Sequence, residues 1–413
     1  MTTLDLIAWL MFITAGFSYL NHRFLKFPTS IGLMAISLVF SLILIALGEL
    51  KWIPGLEDSA GALLQSIDFN RLVLHGILGA LLFAGSLHVN LEDLAKEKWI
   101  ITLLASVGVA ISTALVGGLM YFILQGLGAG IPLIYCMLFG ALISPTDPIA
   151  VLAILKTAGA PKSLETKIAG ESLFNDGVAV VIFIVILGVA SGEHDPTFLS
   201  ITWLFLKEAV GGALFGLAAG YGAYRLLRTV DNYQVEVLIT LALVFAGYAA
   251  AEAMHISAPI AAVAAGLLIG NHGRTLAMSE KTTEHVDLFW ELVDEVLNGI
   301  LFVLLGFEIL ILTFAPVSLT AGLIAIPVVL LARFIGVSLP IWLRKFKREF
   351  SPNAIKVLTW GGLRGGISVA LALSLPPSPE RELILMMTYV VVVFSILVQG
   401  LTIGKLVQRG LKS

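Results

Sequence analysis

Uninterrupted apolar segments, each about as long as a bilayer is thick, recur from one end of this chain to the other. A helix needs about 20 apolar residues to cross the hydrocarbon core. Runs of that order lie at about 4–20, 30–48, 71–89, 99–124, 130–155, 166–190, 201–227, 234–253, 256–271, 288–312, 316–343, 354–374 and 381–406. The run at 256–271 is short, and Ser257-Ala258-Pro259 separates it from the one before; joining the two would give twelve spans. Charged residues make up 13% of the 413 positions, about half the ~25% of a soluble domain, too few to coat water-facing surfaces. The chain therefore reads as an all-α polytopic membrane protein with thirteen transmembrane helices. An outer-membrane barrel would alternate over ~10-residue segments, and one cysteine, Cys136, excludes a disulfide scaffold. The net charge of −3 speaks against nucleic acid as a partner. Met1–Leu6 lacks the basic stretch of a cleaved leader, so the first run is expected to stay as a span.

Cationic residues should collect in every second loop, on the cytoplasmic side. Loops after odd-numbered spans hold Arg23, Lys26, Lys96, Lys98, Lys156, Lys162, Lys167, Arg225, Arg228, Arg274, Lys281, Arg344, Lys345, Lys347, Arg348, Lys356, Lys405, Arg409 and Lys412. Loops after even-numbered spans hold only Lys51, Arg71 and Arg381. One miscounted span would break this alternation. The expected topology places the N-terminus outside and the C-terminus in the cytoplasm.

Two spans are interrupted. In the fifth, Ser144-Pro145-Thr146-Asp147-Pro148 places two prolines around an acid, removing two backbone donors and pushing the preceding residues out of helical geometry. In the twelfth, Gly361-Gly362-Leu363-Arg364-Gly365-Gly366 surrounds an arginine with residues that weaken a helix and admit another backbone closely. Backbone freed at membrane depth must be buried in protein or line an aqueous cavity. If 1–190 and 234–410 are two six-helix repeats joined by a linking helix at 201–227, the broken helices are the fifth member of each, and the repeats are inverted. Paired interruptions in an inverted repeat point to a secondary transporter with a midplane site.

The sixth span opens Gly170-Glu171-Ser172-Leu173-Phe174-Asn175-Asp176. Positions i and i+4 share a helix face, so Ser172 and Asp176 project together, and so do Glu171 and Asn175. The first pair offers hard oxygens suited to a bare alkali cation. The second suits holding Arg364 or the broken helix. The apolar runs also contain Arg333. With Asp147, Glu171 and Asp176 ionised against Arg333 and Arg364, the core carries one net negative charge. One proton or one monovalent cation neutralises it, which implies competition between them and electroneutral one-for-one exchange.

These three motifs, with Tyr248–Glu252 and Phe302–Gly306, resemble the signature segments of the monovalent cation:proton antiporter-1 family, which includes NhaP-type sodium/proton antiporters. The likeness covers nearly the whole chain. It implies an NhaA-like fold whose two broken helices cross at the midplane, a homodimer, and a moving core of about 99–190 plus 316–406 against a dimerisation scaffold. It implies Asp176 as the essential cation and proton site, with Thr146, Asp147 and Ser172 as further ligands of the transported ion. It further implies that Glu171 pairs with Arg364, while Asn175 and Arg333 steady the crossing. Asn175 stands where electrogenic relatives carry a second aspartate. The cargo would be sodium or lithium, or potassium, exchanged for protons across the inner cell membrane, with no cofactor and no enzymatic activity. One departure is Ala84, where archaeal relatives place an acid in the third span.

Weaker signals accompany these. Glu280, Glu284, Asp287, Glu291 and Asp294, with Glu295, form one helical stripe, read either as an entry funnel that enriches cations or as a solvated helix end. Gly212, Gly216 and Gly220 suggest close helix packing. Glu252 and Glu308 lie near helix ends and read as wetted. His75, His88, His255 and His285 read as structural more readily than as pH sensors. A cation channel would need a filter-like run and an intramembrane aspartyl protease a Gly-x-Gly-Asp stretch; the chain has neither.

Overall fold

The computed structural model describes residues 3–49, 71–148, 151–152, 154–155, 159, 161–192, 197–312, 314–344 and 353–411. Of the loop cations, Lys51, Lys156, Lys345, Lys347, Arg348 and Lys412 lie outside them. The described residues are helical, joined by short connections. The helices are α1 (Thr3–Leu20), α2 (Thr29–Glu49), α3 (Leu78–Leu87), α4 (Leu91–Gly126), α5 (Leu133–Leu142), α6 (Lys162–Ala190), α7 (Phe198–Leu227), α8 (Tyr233–Ala253) and α9 (Ala258–Leu268). They continue with α10 (Glu280–Phe307), α11 (Pro316–Arg344), α12 (Ala354–Trp360), α13 (Gly366–Leu373), α14 (Pro379–Phe394) and α15 (Gly400–Leu411). Among the described residues, seven helices are long and apolar enough to cross a membrane. Shorter apolar helices, α3 and α5 among them, lie between these.

Helix starts often precede the apolar runs. Asn90 caps α4 by accepting from the amides of Glu92 and Asp93, so that helix begins with a charged turn before its apolar run. Ser279 closes a capping box with Thr282 at the start of α10, which makes the acidic stripe part of the helix itself. Each cap supplies an acceptor to amides that have no partner within the helix. The break between α8 and α9 falls at 254–257, where His255 takes a left-handed φ of 53° and Ser257 caps the next helix.

Packing follows the small residues. A Cβ added at Gly216 would lie 2.2 Å from the Ala261 carbonyl oxygen, and one at Gly212 2.5 Å from that of Ser257. The glycine face of α7 thus packs directly on α9. On its other side α7 exposes Leu199, Trp203 and Leu214, as a lipid-facing helix does. The main apolar cluster runs through α2, α4, α5, α10, α11, α13 and α14 and encloses the two interrupted segments.

Candidate functional site

The first interruption begins where α5 ends at Leu142. Ser144 turns its hydroxyl back onto the Gly140 carbonyl at 2.6 Å, and Pro145 and Pro148 cannot donate to a helical ladder. The second separates α12 from α13. The two extended segments meet antiparallel, with the Asp147 amide donating to the Leu363 carbonyl at 2.7 Å. Glycine permits the approach: a Cβ at Gly365 would sit 2.6 Å from Asp147 Oδ2, and one at Gly362 2.7 Å from Arg333 Nε.

The freed backbone groups then find partners. Arg364 Nη1 donates to the carbonyls of Ser144 at 2.5 Å and Pro145 at 2.8 Å, and its own amide donates to Ser395 Oγ at 2.8 Å. Gln399 Nε2 donates to the Trp360 carbonyl at 2.9 Å. Ser395 and Gln399 are site-building residues that the sequence reading did not single out. Their signal is present all the same, as two polar side chains four residues apart inside the apolar run 381–406.

The helix α6 lies against the crossing and supplies its acids. The Glu171 carboxylate is held in a fork by Arg333, whose Nη1 donates to Oε1 and whose Nη2 donates to Oε2 at 2.8 Å. Arg333 also donates from Nε and Nη2 to the Leu358 carbonyl, at 3.3 and 3.1 Å. This corrects the expected pairing of Glu171 with Arg364. The reason is geometric: Arg364 sits in extended backbone beside carbonyls stripped of their helical donors, and its Nη1 serves two of them. Arg333 enters from α11 with its guanidinium free to meet a carboxylate two-on-two, the arrangement this group favours.

The pairing of faces also changes. Asn175 does not turn toward Glu171. Its Nδ2 donates to Thr146 Oγ1 at 2.8 Å, and its Oδ1 accepts from the Thr146 amide at 3.3 Å. Ser172 lies 3.1 Å from the same Thr146 hydroxyl and donates to the Thr146 carbonyl. Asn175 therefore acts with Ser172, three residues earlier, and both grip the first broken segment. Asp176 is 6% exposed, and its Oδ1 has no hydrogen-bond partner among the described residues. The charges of Asp147, Glu171 and Arg364 all act on it.

The structure thus brings Thr146, Asp147, Ser172 and Asp176 to one place with Glu171, Asn175, Arg333 and Arg364 around them. Hydroxyl and carboxylate oxygens make a hard donor set suited to an alkali cation. Among the described residues no three His, Cys, Asp or Glu side chains gather as for a tightly bound metal. Ala84 on α3 is buried and offers no donor from its side chain.

A cavity of about 650 Å³ opens along the start of α10, lined by Arg274, Glu280, Glu284, Asp287 and Glu291 among others. Arg274 pairs with Asp287 and lies 3.2 Å from His88 Nδ1. Farther along the stripe, Asp294 comes close enough for Asp147 to act on its charge. Glu308 departs from the expected wetted helix end, being 3% exposed, because α10 continues as a tight turn through Leu310 and buries it.

The chain matches the family described as sodium/hydrogen exchanger, transmembrane, over residues 10–409. It is 53% identical over 410 residues to the Na(+)/H(+) antiporter NhaP of Pseudomonas aeruginosa, covering 98% of this chain and 96% of that one. It is 37% identical to the Na(+)/H(+) antiporter NhaH of Halobacillus dabanensis, over 94% and 93% of the two chains. Its fold is similar to that of the sodium proton antiporter MjNhaP1 from Methanocaldococcus jannaschii, with a TM-score of 0.75, 19% sequence identity and coverage of 99% of both chains.

Proposed function

Because this chain belongs to the sodium/hydrogen exchanger family of multi-pass membrane proteins, we propose that it exchanges sodium for protons across the membrane, with Asp176 as the shared site. The observation that carries this reading is a buried Asp176 oxygen that lacks a hydrogen-bond partner among the described residues, one helical turn along α6 from Ser172, whose hydroxyl meets that of Thr146 at the crossing. A carboxylate so placed must take a proton or a cation, since an uncompensated buried charge is costly.

The pairing sharpens the charge count. Arg333 neutralises Glu171, and Arg364 balances one of the two remaining acids. One negative charge is left between Asp147 and Asp176, enough for one proton or one monovalent cation but not both. The exchange is therefore one-for-one and electrically silent. Lithium is accepted beside sodium, and potassium is the alternative cargo. Thr146, Asp147 and Ser172 complete the ion's protein ligands, and Asn175 holds Thr146 in position.

Access alternates as a core of about 99–190 plus 316–406 moves against the remaining helices. We place the thirteen-span chain in the inner cell membrane as a homodimer, N-terminus outside and C-terminus in the cytoplasm, with the acidic cavity of α10 as the cytoplasmic entry. The test is cation-driven collapse of a pH gradient in proteoliposomes, run with lithium, sodium, potassium and rubidium. Wild type should respond to sodium and lithium. Asp176→Asn should abolish the response while remaining folded by size-exclusion chromatography. Sodium-dependent proton movement in that variant would overturn the site assignment.

A further inference from the structure

The acidic stripe of α10 does not end at Asp294. The same alternation of four and three residues continues through Asn298, Leu301 and Leu305 to Glu308, so a stripe that winds slowly around the helix runs from the 650 Å³ cavity to the turn that ends α10. Along it, Asp294 feels the charge of Asp147. Leu301 then packs on the second broken helix, where a Cβ at Gly366 would lie 2.5 Å from its side chain. Leu301 and Leu305 are buried, 4% and 0% exposed, and separate the site from Glu308.

Beyond this apolar stretch lies an unusual group of polar atoms. Glu308 is 3% exposed and Tyr389 5%. Glu308 Oε1, the Tyr389 hydroxyl and Arg381 Nε each lack a hydrogen-bond partner among the described residues. Arg381 acts on Glu308 by its charge and Glu308 on Tyr389, while Arg381 Nη2 donates to the Leu373 carbonyl at the end of α13 at 3.3 Å. Buried polar atoms are almost always satisfied, and an ionisable side chain at membrane depth normally serves an ion or proton path. A packing role would leave Glu308 tied to Arg381 with its oxygens filled. One oxygen is not.

We propose that Glu308 and Tyr389 form a second, relay site for the transported monovalent cation, on the side of the membrane opposite the acidic cavity. The carboxylate and phenol oxygens take over part of the ion's hydration shell between Asp176 and that face. Leu301 and Leu305 close the passage in the conformation described. Arg381 offsets the charge of Glu308 when no cation is held there. This proposal rests on the exchange reading above and adds a place to its ion path.

The experiment measures apparent KM for sodium from each face, using everted and right-side-out membrane vesicles. Glu308→Gln should raise the KM from the Glu308 face by about tenfold or more, the loss of one charge-assisted contact. The KM from the cavity face should stay within about twofold, as expected of a group met on one side only. Glu308→Asp should restore most of the difference. Tyr389→Phe, which keeps the ring, should shift the same face's KM by about threefold, the worth of one neutral hydrogen bond. It decides the matter should Glu308→Gln fail to fold. Wild-type KM on both faces in a folded variant, or an equal shift on both, would overturn the relay. A wild-type protein without sodium-dependent proton exchange would instead overturn the exchange reading itself.

Discussion

Replacing Arg333 with methionine, which keeps an unbranched apolar stem and removes the charged head, should produce the largest stability loss of any single change at the crossing. Glu171 is 1% exposed and Arg333 7%, so the variant leaves a carboxylate stranded in a dry interior. Breaking a buried ion pair from one side costs about 3–5 kcal/mol, and the Leu358 carbonyl loses both Arg333 donors at the same time. At about 2.1 cal/mol/K of unfolding entropy per residue, each kcal/mol is worth about 1 °C in a chain of this length. The midpoint should therefore fall by about 3–6 °C. Thermal unfolding in nanodiscs, read by intrinsic fluorescence at one fixed scan rate, measures this. The same assay on Glu171→Gln and on the double variant completes a cycle, and the double variant should recover most of the loss because no buried charge is left unpaired. Arg364→Met supplies the contrast: Glu171→Gln should not rescue it, since Arg364 serves carbonyls. Rescue of Arg364→Met by Glu171→Gln, or an Arg333→Met midpoint within about 1 °C of wild type, would refute the pairing and return Glu171 to Arg364.

Competition for one carboxylate gives a signed pH dependence. As pH falls through the titration of Asp176, protons displace the cation and the apparent KM for sodium should rise about tenfold per unit while the maximal rate is kept; a falling maximal rate at constant KM would contradict shared occupancy. Transport by proteoliposomes clamped with potassium and valinomycin should run at the same rate at zero and at strongly negative interior potential, and a steady current would mean that Asp147 also exchanges a proton. Gly365→Ala should lower the exchange rate by at least tenfold, because the added methyl falls 2.6 Å from Asp147 Oδ2 and near-contact displacements of a reacting group cost that much or more; unchanged exchange would show that the crossing tolerates a wider gap.

The two interruptions were legible in the sequence because proline and glycine act locally: Pro145, Pro148 and the glycines around Arg364 restrict or release the backbone whatever surrounds them. Helical spacing sets Ser172 and Asp176 one turn apart on α6. The partner of Glu171 is not set this way, because both arginines lie in apolar runs and no local rule says which of them has carbonyls to serve. Asn175 was read by the four-residue interval, while its contact with Thr146 uses the three-residue one. The acidic stripe was visible as a pattern, yet hydropathy placed the start of its span at 288, since capping by Ser279 outweighs the polarity of the turns that follow. Glu308 looks wetted in the sequence because its burial comes from the turn through Leu310 and from α2, more than 250 residues earlier in the chain, on which that turn packs.

The hydrogen bond from the Asp147 amide to the Leu363 carbonyl ties together segments that belong to opposite halves of the chain, and Arg364 reaches back across it to Ser144 and Pro145. Such a joint behaves as a keystone, loaded from both sides and unable to yield on one alone. Under the proposed cycle the ion's immediate surroundings would travel as a preassembled cassette while the helices outside it slide. The coordination shell then need not be dismantled to change which side it faces. On that reading the work of each turnover would fall on the apolar seams around the cassette.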